Sequence, residues 1–304
     1  MSGASRRQLL MLIAFAVGIA APVPWLVPAV LGLALGVTAV RLVRWAASGQ
    51  SSVQAAGQAA DQAVVLGVDQ RGGQVAVSDR ELAAHGLILG ASGAGKTTSL
   101  LRILTEQIRR GRPVIAVDLK GSPAFVAELS AAAAAAGRPL RVWTPDGPDR
   151  WNPLAHGNAT ELKDKLIATE RFTEPHYQRA AERYLLNVLT VLQAYPHAPP
   201  PTLPDVVALM DPHRLRAQLR GLPPALGERV TDYLAGLTSD QLSAIRGLQT
   251  RLAILTESHT GQFLTPSTDP AVDVRRALDG AEVVVFSLNS SRYGQLAAQL
   301  GTLV

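Results

Sequence analysis

The residues best equipped for chemistry stand together at Gly90-Ala91-Ser92-Gly93-Ala94-Gly95-Lys96-Thr97, followed directly by Thr98. Their spacing, G-x-x-x-x-G-K-[ST], is that of a phosphate-binding loop. Glycines let the backbone turn tightly and aim its N–H groups at phosphate oxygens. Lys96 is suited to reach the β- and γ-phosphates and to stabilise charge on the group in transfer, which makes it the candidate catalytic residue. The Thr97 hydroxyl suits Mg2+, and Gly90, Ala91, Ser92, Gly93, Ala94, Gly95, Lys96, Thr97 and Thr98 form the candidate contacts to ATP. A second candidate metal residue is Asp118, which closes the apolar run Pro113–Asp118. A carboxylate at the end of such a strand can hold Mg2+ through water. No Glu follows it, so nothing there would polarise an attacking water.

A loop of this kind works only between a strand and a helix. Gly86–Leu89 is a short apolar run suited to a buried strand. After the loop, Leu100, Ile103, Leu104 and Ile108 recur at helical spacing, and Arg109, Arg110 and Gly111 supply last-turn cations and a stop. Pro113–Asp118 reads as the next strand, and Ser122-Pro123 opens a helix with an N-cap and a proline at its first position. Gly137 ends that helix, and Leu140–Trp143 returns as a strand. This alternation implies an α/β fold with a mostly parallel sheet and right-handed crossovers.

Bulk properties exclude other chemistries. The chain has 304 residues, a formal net charge of +5, no cysteine and six scattered histidines. Disulfides and thiolate metal centres are therefore impossible, and no histidine pair has metal-ligand spacing. From Leu9 to Val43 the only ionisable residue is Arg41. Arg6 and Arg7 before this apolar run would also fit the opening of a signal peptide. The run continues past Pro22-Val23-Pro24, however, which suits two short membrane helices at about residues 8–21 and 25–43. A single kinked span and a buried helix pair are the alternatives. Arg at both ends favours a multi-pass anchor (residues 1–47) with both termini in the cytoplasm.

Residues 48–62 read as a linker, and Ala63–Val68 with Gln74–Val77 as a β-hairpin. His85, just before the loop strand, is a packed or capping residue on the simplest reading and a functional one on the other. After Trp151-Asn152-Pro153-Leu154 the pattern turns helical, with one long amphipathic helix through Tyr177–Leu192 and weaker ones at 205–222, 224–237 and 239–257. An all-α subdomain at 155–270 would thus be inserted in an α/β domain made of 63–154 and 271–304. Ala281–Leu288 is a buried strand, and 290–304 begins an amphipathic helix.

Taken in order, these pieces resemble the conjugative coupling proteins of type IV secretion, of the TraG/TraD type, within the FtsK/HerA-like P-loop ATPases. The resemblance rests on the apolar hairpin, His85–Gly90 as the histidine-led loop strand, Asp118-Leu119-Lys120-Gly121 as a D-x-K-G element, and Trp151–Leu154 as an aromatic-N-P-L segment. Val283–Leu288 resembles the strand and turn before that group's Asp-Glu strand. It implies a RecA/FtsK-like P-loop NTPase fold, ATP and Mg2+ as cofactors, and a hexameric ring in the inner (plasma) membrane. Its partners would be single-stranded DNA, a relaxase and channel components. In that group a further apolar strand ends in Asp-Glu, and no such run occurs in this sequence. The chain is thus expected to be the N-terminal part of a longer protein, or a truncated one, with weak nucleotide binding and negligible hydrolysis. Arg102, Arg109, Arg110, Arg112, Arg138 and Arg141 could touch phosphates, although solvated helix ends are the simpler reading. His213, Arg214, Arg216 and Arg220 are the densest basic cluster in the helical part. A duplex-DNA translocase and a non-hydrolysing nucleotide-binding membrane module are the competing functions.

Overall fold

The computed structural model describes residues 63–267, 271–280 and 282–304. The proposed membrane helices and the linker at 48–62 lie outside them. Among the described residues no helix is long and apolar enough to cross a membrane. The chain divides into two compact units at Leu87/Ile88.

In the first unit, β1 (Ala63–Val68) and β2 (Gln74–Ser78) form an antiparallel hairpin that pairs Ala63 with Ser78 and Val68 with Gln74. Its turn is built by Asp69, whose Oδ1 accepts the N–H groups of Arg71 and Gly73, both at 2.8 Å. Ser78 then caps α1 (Asp79–Leu82) in a reciprocal box with Glu81. His85, beyond this helix, is exposed, and the helix's C-cap is Ala83.

The second unit is built on a parallel sheet. Its strands are β3 (Val114–Asp118), β4 (Leu140–Trp143) and β5 (Val283–Ser287), in the order β3-β5-β4. The last strand in sequence is thus the central one, and its first four residues are fully buried. A continuous Val-Val-Val-Phe run is what a strand covered on both faces requires. Alternate residues face alternate layers: Val283 and Val285 join Ile108, Val114, Ala116 and Leu129, beneath α2 (Lys96–Arg109) and α3 (Pro123–Ala135). Val284 and Phe286 face the opposite layer, with Trp143, Trp151 and the helical segment.

That helical segment occupies the chain between β4 and β5. It comprises α4 (Ala159–Ala168), α5 (Pro175–Gln193), α6 (Leu203–Leu209), α7 (Pro212–Ala217), α8 (Pro224–Ala235) and α9 (Ser239–Glu257), closed by a 3-10 turn at His259–Phe263. Its buried residues are continuous with the second face of the sheet, so helices and sheet share one core. The Trp-Asn-Pro-Leu segment is the hinge of that packing. Trp151 meets Phe286 edge-on at 4.7 Å, and its N–H donates to the Phe263 carbonyl at 2.9 Å. Asn152 is buried because its amide donates to the Pro201 carbonyl at 3.1 Å while its oxygen accepts Leu154 N–H at 3.0 Å. The chain returns through α10 (Val274–Leu278), and after β5 come α11 (Ser290–Tyr293) and α12 (Gln295–Leu303).

Three expectations are corrected. Among the described residues Gly86–Leu89 pairs with no strand, and Leu87 and Leu89 are 81% and 80% exposed. Hydrophobicity alone called for burial, but a strand also needs a neighbour, and among the described residues β3 pairs only with β5. The helix expected over 205–222 is two, broken where Asp211 caps the second and Pro212 lacks an N–H. The helix expected over 290–304 is likewise broken, at Gly294, where φ is +49°.

Candidate nucleotide-binding site

The loop from Gly90 to Thr97 is placed by its helix. α2 is joined to β3 by a short turn through Gly111 and packs on that strand's face through Leu101, Leu104 and Ile108. It must therefore run antiparallel to β3, which brings its N-terminus to the end of the sheet where β3 finishes at Asp118. Leu100, expected on the apolar stripe, is instead 39% exposed. The loop and Asp118 thus occupy the rim at the strands' C-terminal ends, where open α/β sheets bind ligands.

Within the loop, Gly93 and Gly95 adopt φ of +81° and +78°, the left-handed region that excludes most side chains. Gly90 is needed for another reason: a Cβ there would meet the Ala94 Cβ at 3.2 Å and the Lys96 Cγ at 3.5 Å. The Lys96 ammonium lies across the loop and donates to the carbonyls of Gly90 (2.7 Å) and Ala91 (2.6 Å). A positive charge is thereby held at the loop's centre by its own backbone. No side chain caps α2, whose N-cap is Gly95. The N–H groups of Lys96, Thr97 and Thr98 are accordingly first-turn donors with the positive end of the helix behind them. Ser92, Ala94, Thr97 and Thr98 are exposed around this cradle. Donor set and charge fit a polyphosphate, and the Thr97 hydroxyl at the second helical position fits a cation bound to it.

Asp118 is oriented by its own turn. Its Oδ1 accepts Lys120 N–H at 2.9 Å and its Oδ2 accepts Ser122 N–H at 2.6 Å. Both oxygens keep further lone pairs, so the turn orients the carboxylate without consuming it. Leu119 follows, and the strand end presents no second carboxylate. Gly121 has φ of +65°, and a Cβ there would come within 2.6 Å of the Asn289 Cβ and 2.9 Å of its Cα. The turn is also bonded to the chain after β5: Leu288 N–H donates to the Asp118 carbonyl (2.9 Å) and Ser290 N–H to that of Leu119 (2.6 Å). Sequence reading missed Asn289; its only signal was a small polar stretch after a buried strand.

Most of the arginines considered for phosphate lie at the other end of the sheet, where α2 finishes. Arg109 and Arg110 pair with Glu106 at 2.6 and 2.7 Å. Arg138 donates to the carbonyls of Arg112 (2.7 Å) and Gly280 (2.9 Å), stapling α2 to the approach of β5. Arg141 stands 3.9 Å from the buried Glu282. These side chains serve the fold. His213, Arg214, Arg216 and Arg220 are exposed on and after α7, as a solvated helix face would be. No group of three or more His, Asp or Glu among the described residues could hold a metal ion by itself.

Comparison with known proteins gives one family match: residues 64–138 fit the model of the helicase HerA-like C-terminal domain. That range holds the hairpin, the loop, α2, β3 and α3. No curated protein matches the sequence. Among solved structures, VirB4 of Thermoanaerobacter pseudethanolicus is similar at 16% identity and a TM-score of 0.45, over 78% of this chain and 60% of that one. This chain thus spans less than two thirds of that protein. The family match and the parallel α/β sheet support the FtsK/HerA-like P-loop ATPase superfamily.

Proposed function

We propose that this chain supplies the nucleotide-binding loop of a membrane-anchored P-loop ATPase that couples ATP binding and hydrolysis to the transfer of DNA, or of a protein–DNA complex, into a type IV secretion channel. One observation carries the nucleotide part. Lys96 is drawn across a glycine-built loop at the uncapped N-terminus of α2, so ammonium, backbone donors and helix dipole stand together at that one helix end. Mg2+, when bound, supplies charge neutralisation between phosphates; Thr97 and the oriented Asp118 are the residues to hold it. Lys96 stabilises the transferring phosphoryl group.

The transport part draws on resemblance. The helical segment between β4 and β5 stands where the coupling proteins carry their all-α domain, and a duplex-DNA translocase has no need of it. In this proposal the apolar N-terminus is the anchor in the inner membrane, the ATPase faces the cytoplasm, and a homohexamer takes single-stranded DNA from a relaxase to the channel. The second reading, a nucleotide-binding membrane module without hydrolysis, is favoured by one feature: Asp118 is followed by Leu119.

The test is titration of a fluorescent ATP analogue into the full chain and into its Lys96→Ala variant. Hydrogen bonds to charged groups are worth about 1.5–3 kcal/mol, so the variant should bind roughly 10- to 100-fold more weakly. Equal affinity would remove the loop from the mechanism.

A further inference from the structure

Three segments remote in sequence meet on one carboxylate. Asp146 lies just after β4, and its Oδ2 accepts the Arg292 Nη1 at 2.8 Å. Its Oδ1 accepts the Tyr293 hydroxyl, and the His259 Nε2 stands 3.9 Å away. Arg292 and Tyr293 belong to α11, after β5; His259 opens the 3-10 turn that closes the helical segment. The Arg292 guanidinium also lies over the Tyr293 ring, 5.1 Å from its centre. None of this is used by the nucleotide-binding reading.

Each end of the cluster is tied to something larger. On one side, α11 is capped by Asn289, the residue against which Gly121 packs, and its first N–H is bonded to the Leu119 carbonyl. The turn from Asp118 to Ser122 and the side chains of Arg292 and Tyr293 are therefore the two ends of one short, hydrogen-bonded piece. On the other side, His259 meets the Phe263 ring edge-on at 5.6 Å, and the Phe263 carbonyl accepts both Trp151 N–H and the Trp143 indole N–H. Gly147, next to Asp146, leaves room for that ring: a Cβ there would approach it to 2.3 Å. Asp146 thus stands between the rim that carries Asp118 and the end of the helical segment.

We propose that Asp146 is a positioning residue that transmits the nucleotide state of the rim to the helical segment, through a clasp with Arg292 and Tyr293. The inference rests on the nucleotide-binding reading above. The turn at Asp118–Ser122 carries the exposed Lys120, a charge that a bound polyphosphate attracts. Displacement of the turn moves Asn289 and α11 with it, and the guanidinium then trades its carboxylate for solvent. The clasp suits such an exchange because it sits at the surface: Asp146 and Arg292 side chains are 42% and 64% exposed, so making and breaking it is nearly balanced.

The experiment is hydrogen exchange of the full chain with and without a non-hydrolysable ATP analogue, read at residues 255–264, alongside analogue binding measured separately. Wild type and Asp146→Glu should show a nucleotide-dependent change in protection there. Asp146→Asn should lose at least three quarters of that change while binding the analogue within about threefold of wild type. Arg292→Gln, at a side chain more exposed still, reads the same clasp from its other end. A purely structural role for Asp146 would alter protection equally with and without nucleotide. A nucleotide-dependent change that persists in both Asp146→Asn and Arg292→Gln overturns the clasp, as does wild type that binds nucleotide with no change at 255–264. Wild type that binds no nucleotide overturns the underlying reading, and the clasp with it.

Discussion

At the scale of single residues, the glycines of the two rim elements do different work. Gly93 and Gly95 supply backbone conformations, and Gly90 supplies room for Lys96. Gly121 supplies both, because its φ is positive and Asn289 backbone fills the place of a Cβ. The D-x-K-G element is therefore a steric lock between the turn after β3 and the turn after β5, whatever else Lys120 does. Gly121→Ala combines left-handed strain with overpacking, and should destabilise the chain by about 2–4 kcal/mol in urea unfolding. A cost below about 0.5 kcal/mol would mean that the two turns are not locked together.

At the scale of elements, α2 has two ends with opposite tasks. Its N-terminus is left without a side-chain cap, beside the loop. Its C-terminus is closed by Glu106, which bonds Arg109 and Arg110. The Arg109 hydrogen bond above all, with burial opposing and Arg110 adding, lowers the Glu106 carboxyl to about 2. A depressed carboxyl contributes stability that is present above its unfolded value, near 4.5, and is lost as pH falls toward the folded value. The stability difference between wild type and Glu106→Gln should therefore be constant above about pH 5 and shrink between about pH 4.5 and 2. A difference unchanged down to pH 2 would show that the contact is packing and not charge.

At the scale of the whole molecule, the central position of β5 decides the architecture. A strand that arrives last in sequence pairs with both β3 and β4, so the helical segment inserted before it must fold back on the sheet's second face. The tether to the bilayer is the other whole-molecule proposal. Membrane fractionation should leave the chain in the pellet after a carbonate wash, since two apolar spans withstand it and a peripheral contact does not. Recovery in the wash would remove the anchor from the proposal.

The sequence by itself determined the local chemistry: the loop's glycines and Lys96, the strand ending in Asp118, the Ser122-Pro123 helix start and the unbroken apolar run of β5. Each of these depends on neighbours a few residues away, where backbone sterics, capping and periodicity act. Only the tertiary structure decided that Gly86–Leu89 is left without a sheet partner among the described residues, that Asn289 locks Gly121, and that Asp146 gathers Arg292, Tyr293 and His259. Those contacts join residues more than a hundred positions apart in most cases, and depend on strand order, which no local pattern encodes. The exposure of Leu87 and Leu89 makes the same point: an apolar run states a preference for burial, and the fold determines whether anything is there to bury it.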